Sequence, residues 1–169
     1  LFDRLALVFP DMQIASLTGD REFIGNAWMA SLQARNIAFV LRLKDTQIIR
    51  RNNFPSRPVA ILARRLQPGQ KLIVKQPCRL ADDPDAPALR VVIMRLRNRE
   101  LLVLATNSNS KAALKRYRAR WRIECLFANL KSKGFDLEAT PLTGLGKLAT
   151  LMAMLALAVA LAAKSGSAA

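Results

Sequence analysis

The chain has 169 residues, about half of them apolar, and a formal charge of +15. That length suits one ordinary domain with room for an insertion, and the charge points to a polyanionic partner, nucleic acid before membrane. The absence of histidine excludes Ser-His-Asp catalysis and His-containing zinc sites, and two cysteines, Cys78 and Cys125, cannot make a four-thiolate site or a disulfide framework. If the chain belongs to an enzyme, carboxylates carry the chemistry.

In chain order, Phe2, Leu5, Ala6 and Phe9 have helical spacing, closed by Pro10. Ile14–Leu17 is a short apolar strand running into Thr18-Gly19-Asp20. Gly25-Asn26 opens a helix carrying Trp28, Leu32 and Ala34, and Ile37–Leu43 is a second strand. Strand, acidic loop, helix, strand is an α/β arrangement, in which active groups gather beyond the C-terminal ends of strands. Asp20 sits at such an end.

From Thr46 to Thr106 helical periodicity disappears. Val59–Arg65, Lys71–Lys75, Leu89–Leu96 and Leu101–Ala105 read as strands, punctuated by Gln67–Gln70 and Asp82–Pro87. This is a β-rich insertion, and a basic one, with twelve basic and four acidic residues over 46–104. Residues 1–45, by contrast, hold five of each. Asn107–Ser110 reads as a loop and helix cap, followed by one long helix from Ser110 to Lys133 that Gly134 ends. Residues 111–133 hold eight basic residues around a single acid, Glu124. Leu148–Ala163 runs sixteen residues without a charge between Lys147 and Lys164. A membrane span needs roughly 20 apolar residues, so this run is expected to be a buried or partner-facing helix.

On a continuous helix, Tyr117, Arg120, Glu124 and Lys131 fall within a stripe about 60° wide. A carboxylate on that stripe can bind a hard cation, and the flanking Arg and Lys can hold phosphates. An ordinary i,i+4 ion pair on a solvated helix accounts for Arg120 and Glu124 equally well, and spacing alone does not choose.

Resemblance does. Tyr117-x2-Arg120-x3-Glu124-x6-Lys131 matches the Y-R-E-K signature of the insertion-sequence-4 class of bacterial DDE transposases. The surrounding words, Arg120–Phe127 and Leu130–Phe135, resemble that family too, and Leu17–Gly25 resembles the segment around its second catalytic aspartate. The resemblance covers nearly the whole chain. It implies a partial ribonuclease-H-like α/β core in residues 1–45, the basic β-rich insertion in 46–106, the motif helix in 107–146, and an apolar helix and tail in 147–169. It implies that Asp20 and Glu124 are the second and third acidic ligands of Mg²⁺, with Mn²⁺ as a substitute. Tyr117, Arg120 and Lys131 then contact DNA phosphates near the cleaved bond, with Arg21 as an auxiliary contact. The implied partners are transposon-end and target DNA and a second copy of the chain, in a cytoplasmic setting without a membrane.

The family's first aspartate lies well upstream of the second. Asp3 and Asp11 are the acids before Asp20, and neither fits that place. The chain, which starts at Leu1, is therefore expected to be the C-terminal part of a longer transposase, poorly active by itself. The alternatives from other classes are a non-catalytic DNA-binding remnant and a basic protein anchored to a membrane through Leu148–Ala163.

Overall fold

A computed structural model describes residues 2–80, 83, 85–128 and 144–166. The chain falls into two compact units, Leu1–Arg120 and Trp121–Ala169.

The first unit is mixed α/β. Helix α1 (Phe2–Val8) precedes strand β1 (Leu17–Gly19), a 3-10 turn (Arg21–Phe23), helix α2 (Asn26–Ala34) and strand β2 (Phe39–Leu43). The expected helix, strand, helix and strand are all present, with the first strand shifted toward Asp20. Next come β3 (Ile48–Arg51), β4 (Phe54–Pro58), the short helix α3 (Val59–Leu62), β5 (Lys71–Ile73), β6 (Cys78–Leu80), β7 (Arg90–Arg95) and β8 (Leu101–Thr106). Helix α4 (Ser110–Arg118) closes the unit.

A five-stranded sheet has the order β1-β2-β8-β7-β5, so it takes strands from both sides of residue 45. β1 and β2 are parallel, with Leu17, Thr18 and Gly19 beside Phe39, Val40 and Leu41, and the remaining pairs are antiparallel. A second, three-stranded sheet has the order β4-β3-β6.

Strand alternation sorts the side chains of the large sheet onto two faces. Phe39, Leu41, Leu43, Val91, Ile93, Val103 and Ala105 share one cluster with Met29 and Leu32 of α2 and with Val59 and Ala63 around α3. Val40, Val92 and Leu104 point the other way, under Ala113 and Tyr117 of α4. The sheet is thus a layer between helices. The crossing from β8 to α4 is fixed by polar contacts. The buried Thr106 hydroxyl donates to Phe39 O at 2.5 Å, and the Asn107 amide both donates to Ile37 O and accepts from Phe39 N, each at 2.9 Å. Asn109 caps α4 by accepting from Lys111 N at 2.9 Å, as the loop-and-cap reading expects.

Three local readings change. Residues 59–65, expected as a strand, begin instead with helix α3; a four- to seven-residue apolar run does not by itself distinguish the two. The hairpin β3–β4, turning at Asn53 with φ 64°, carries too many arginines and prolines to read as strands. The expected single helix from Ser110 to Lys133 is interrupted. Ala119 N bonds Arg116 O at 3.1 Å and Arg120 N bonds Tyr117 O at 3.0 Å, a tightened turn that ends α4.

The second unit begins with α5 (Trp121–Ala128) and contains α6 (Leu145–Gly166). Leu155 is buried while Leu145 and Met154 are exposed. Among the described residues no helix is long and apolar enough to cross a membrane.

Candidate functional site

Asp20 follows β1 at the end where the parallel pair β1–β2 stops. The approach is tight. A Cβ on Gly19 would lie 2.8 Å from Leu41 Cδ2 and 3.2 Å from Phe23 Cβ, so glycine lets the strand end pack flat against the core. Asp20 then leaves in an extended conformation, and its Oδ1 accepts from Arg21 N at 2.8 Å, capping the 3-10 turn. Its backbone carbonyl accepts from Phe23 N at 3.0 Å. The carboxylate is held by its own loop, with its side chain 40% exposed.

Helix α4 starts beside β8's C-terminal end, crosses the sheet face and delivers its own end to the Asp20 edge. There, Arg120 Nη2 lies 3.9 Å from Asp20 Oδ2, and the Arg120 guanidinium stands 5.5 Å from the Tyr117 ring centre. The distance to Asp20 exceeds a hydrogen bond, so the pair is electrostatic. Arg120 makes a further interaction as well. The Tyr117 ring packs in the α4 cluster, 8% exposed, and its hydroxyl is buried without a hydrogen-bond partner among the described residues.

Three of the expected site residues, Asp20, Tyr117 and Arg120, therefore meet at one edge of the first unit, with Arg21 adjacent through its backbone. They do so by a different route from the helical stripe. Tyr117 is under α4 rather than on its exposed side, and Arg120 occupies the turn after the helix. Glu124 lies in the first turn of α5 in the second unit, half-buried and itself engaged. Lys131 lies outside the described residues.

Not all of the basic charge faces outward. Arg95 Nε donates to Leu66 O at 2.7 Å, and its Nη atoms donate to Arg99 O and Ala63 O, both at 3.0 Å. Arg79 Nε donates to Ala86 O at 3.1 Å. These side chains fasten loops. Arg51, by contrast, lies over the exposed Phe54 ring at 4.3 Å.

One residue at the Asp20 edge is missing from the motif. Arg42 occupies the strand position after Leu41, where the β1–β2 register continued by one residue sets it beside Asp20. Its Nε is buried and has no hydrogen-bond partner among the described residues. A charged residue breaking the apolar run Ile37–Leu43 was the sequence signal for it.

As a donor set, Asp20 offers the hard anionic oxygen that Mg²⁺ takes, and Mg²⁺ keeps several waters, so a single carboxylate is a fitting ligand. Among the described residues no three His, Cys, Asp or Glu side chains come together as a metal-holding group.

Residues 2–161 match the family described as Transposase DDE domain. No curated protein matches the chain.

Proposed function

The chain belongs to the transposase DDE domain family, and we propose that it is the part of an insertion-sequence-4-class transposase that carries the second and third catalytic carboxylates, Asp20 and Glu124. The family is one of polynucleotidyl-transferase-type enzymes that act on DNA and normally use divalent metals. On this reading the pair β1–β2 belongs to a partial ribonuclease-H-like core, and residues 46–106 are the basic insertion whose strands extend its sheet. The observation that carries the assignment is the meeting of Asp20, Arg120 and Tyr117 at one strand end. Tyrosine and arginine from the motif stand beside the aspartate of a separate sequence segment.

Asp20 and Glu124 would each give oxygen to Mg²⁺, with Mn²⁺ as a substitute. When bound, the metal supplies activation of water or a 3′-hydroxyl and stabilisation of the leaving oxygen. The chain's own residues do the rest. Arg120 sits beside the carboxylate and balances its charge, and its planar guanidinium can hold a DNA phosphate against that edge. Lys131, and Arg21 as an auxiliary contact, add backbone-phosphate contacts that position the strand without reading sequence. The family's first catalytic aspartate has no match among the acids before Asp20, and on this reading the chain by itself is poorly active.

In the intact enzyme, Asp20→Asn and Glu124→Gln abolish cleavage of end-containing DNA while leaving duplex binding within about twofold, since each removes one negative charge and no phosphate contact. Normal cleavage by Glu124→Gln would sink the assignment. Robust metal-dependent nicking by this chain alone would show that no further carboxylate is needed. The charge distribution also favours a second role that needs no chemistry. Eight basic residues over 111–133 give backbone binding whose affinity falls steeply with salt and varies little with DNA sequence.

A further inference from the structure

We infer that Arg42 is a phosphate-binding residue of the Asp20 site, a contact that lies outside the Y-R-E-K motif and on a different element from it. The inference rests on the DNA-processing reading above and adds a residue to it.

Side chains alternate along β2 between the two faces of the sheet. Phe39, Leu41 and Leu43 belong to the cluster under α2, whereas Val40 belongs to the cluster under α4. Arg42 is two residues from Val40, so it rises on the α4 face. Across β8 its neighbour is Leu104, also a member of the α4 cluster. Continued one residue past the last pair, Gly19 with Leu41, the β1–β2 register sets Arg42 level with Asp20, whose carboxylate pairs with Arg120. Arg42 therefore shares the α4 face of the sheet with the cluster that holds Tyr117, one step along β2 from the residue level with Gly19.

A guanidinium in that position needs an explanation. It does not deprotonate in a protein, so it cannot escape burial by losing its charge. Half-buried charges are normally paired, and an unpaired one destabilises the fold. Yet Arg42 Nε is buried without a hydrogen-bond partner, and among the described residues no carboxylate lies within ion-pair reach of Arg42. Arg95, two strands away in the sheet order, shows the contrast: its three nitrogens each bond a carbonyl. The Tyr117 hydroxyl, on the helix covering this face, is a second buried polar group without a partner. A guanidinium whose Nε is unsatisfied and a hydroxyl without a partner, both on this face, suit an oxyanion with several acceptor oxygens. The anion that DNA brings to an Asp20-centred site is a backbone phosphate, and arginine meets it bidentately.

The test compares the full chain with Arg42→Met, which keeps the apolar stem, and Arg42→Lys, which keeps the charge but not the fork. Two readouts are needed. The first is duplex binding across a salt series with a 20-base-pair duplex of arbitrary sequence. Arg42→Met should bind at least about tenfold more weakly at low salt, with a salt slope shallower by about 0.9, and Arg42→Lys should fall between it and the wild type. The second is thermal unfolding without DNA, in sodium phosphate and in sodium chloride of equal ionic strength. Arg42→Met should unfold at a higher temperature than the wild type in chloride, because an unpaired buried charge is gone. Phosphate should raise the wild-type midpoint and leave that of Arg42→Met unchanged.

A lower midpoint for Arg42→Met in chloride would mean that the guanidinium holds the fold together, and would overturn the inference. Equal duplex affinity and salt slope for wild type and Arg42→Met would overturn it while leaving the DNA reading intact. A wild-type chain that binds no duplex at low salt would overturn both.

Discussion

The two faces of the five-stranded sheet are closed in different ways. On one, seven strand residues from Phe39 to Ala105 pack against α2 and the α3 region in a cluster of apolar side chains. On the other, Val40, Val92 and Leu104 lie under one helix, α4, and the same surface carries Arg42 and leads to Asp20 and Arg120. The first face buries the larger apolar cluster. Two of the three buried polar atoms without a partner among the described residues, Arg42 Nε and Tyr117 Oη, lie on the second face, where a ligand can satisfy them; the third, Trp28 Nε1, lies beside the first.

The comparison breaks most directly at Phe39, a large and fully buried side chain of the closed face. Phe39→Ala should lower stability by about 3–5 kcal/mol in denaturant unfolding. Asp20→Asn, at the edge of the open face, should change it by no more than about 0.5 kcal/mol, because an asparagine oxygen can still accept from Arg21 N. Similar losses for the two would mean that the faces do not divide stability from function.

Cys78 sharpens the same point by pH. It belongs to the closed-face cluster, and burial, partly offset by Arg51, raises its thiol from an ordinary 9.0 to about 11. Folding therefore favours the protonated thiol. Its contribution is fully present below pH 9 and is lost as the pH rises toward 11, because the unfolded chain gives up its proton first. Relative to Cys78→Ser, the wild type should lose about 1.4 kcal/mol per pH unit across that window. Parallel pH profiles for the two proteins would place Cys78 outside the closed core.

What the sequence revealed and what it hid follow the same boundary. The pattern from Ile14 to Leu43 is readable because short apolar runs flank a helical period opened by Gly25-Asn26, and β7 and β8 are readable as apolar runs of the same kind. The β3–β4 hairpin was hidden, since Arg50, Arg51, Arg57 and Pro58 mask its alternation. The break at Ala119–Arg120 was hidden as well, because alanine and arginine favour helices and nothing local marks a stop. Asp20 is marked by its strand end and by family resemblance, whereas helical spacing groups Arg120 with Tyr117, Glu124 and Lys131 and says nothing of Asp20. Arg120 reaches Asp20 because a turn ends α4 there, not because a stripe continues. Arg42 went unremarked because a lone charge in a strand ordinarily faces water. Only the register with β1 shows what it stands beside.

Gly19 lies where the two faces meet, at the last step before Asp20. Gly19→Ala would drive a Cβ to within 2.8 Å of the buried Leu41 side chain and 3.2 Å of Phe23 Cβ. Leu41 can turn only by disturbing the closed face, and Phe23 can move only with the 3-10 turn that Asp20 caps. The substitution should lower stability by about 1–3 kcal/mol, as overpacking does. It should also shift the Asp20 loop, so cleavage by the intact enzyme should fall by more than the lost stability explains. Full activity in a Gly19→Ala enzyme that is still folded at the assay temperature would show that the strand end does not set the position of Asp20.

A smaller loss than at Gly19 belongs to α4, the described cover of the open face. Asn109 caps α4 through Lys111 N, and Asn109→Ala should cost about 1 kcal/mol. The more telling measurement is local. Hydrogen exchange should quicken along α4 and leave the amides of β7 and β8 protected, because those strands are held chiefly by the apolar cluster on the opposite face. If exchange instead quickened equally in α4 and in β8, the helix and the sheet would open as one unit. Tyr117 and Arg120 would then be fixed by the whole fold, and the open face would have no independence to lend a binding site.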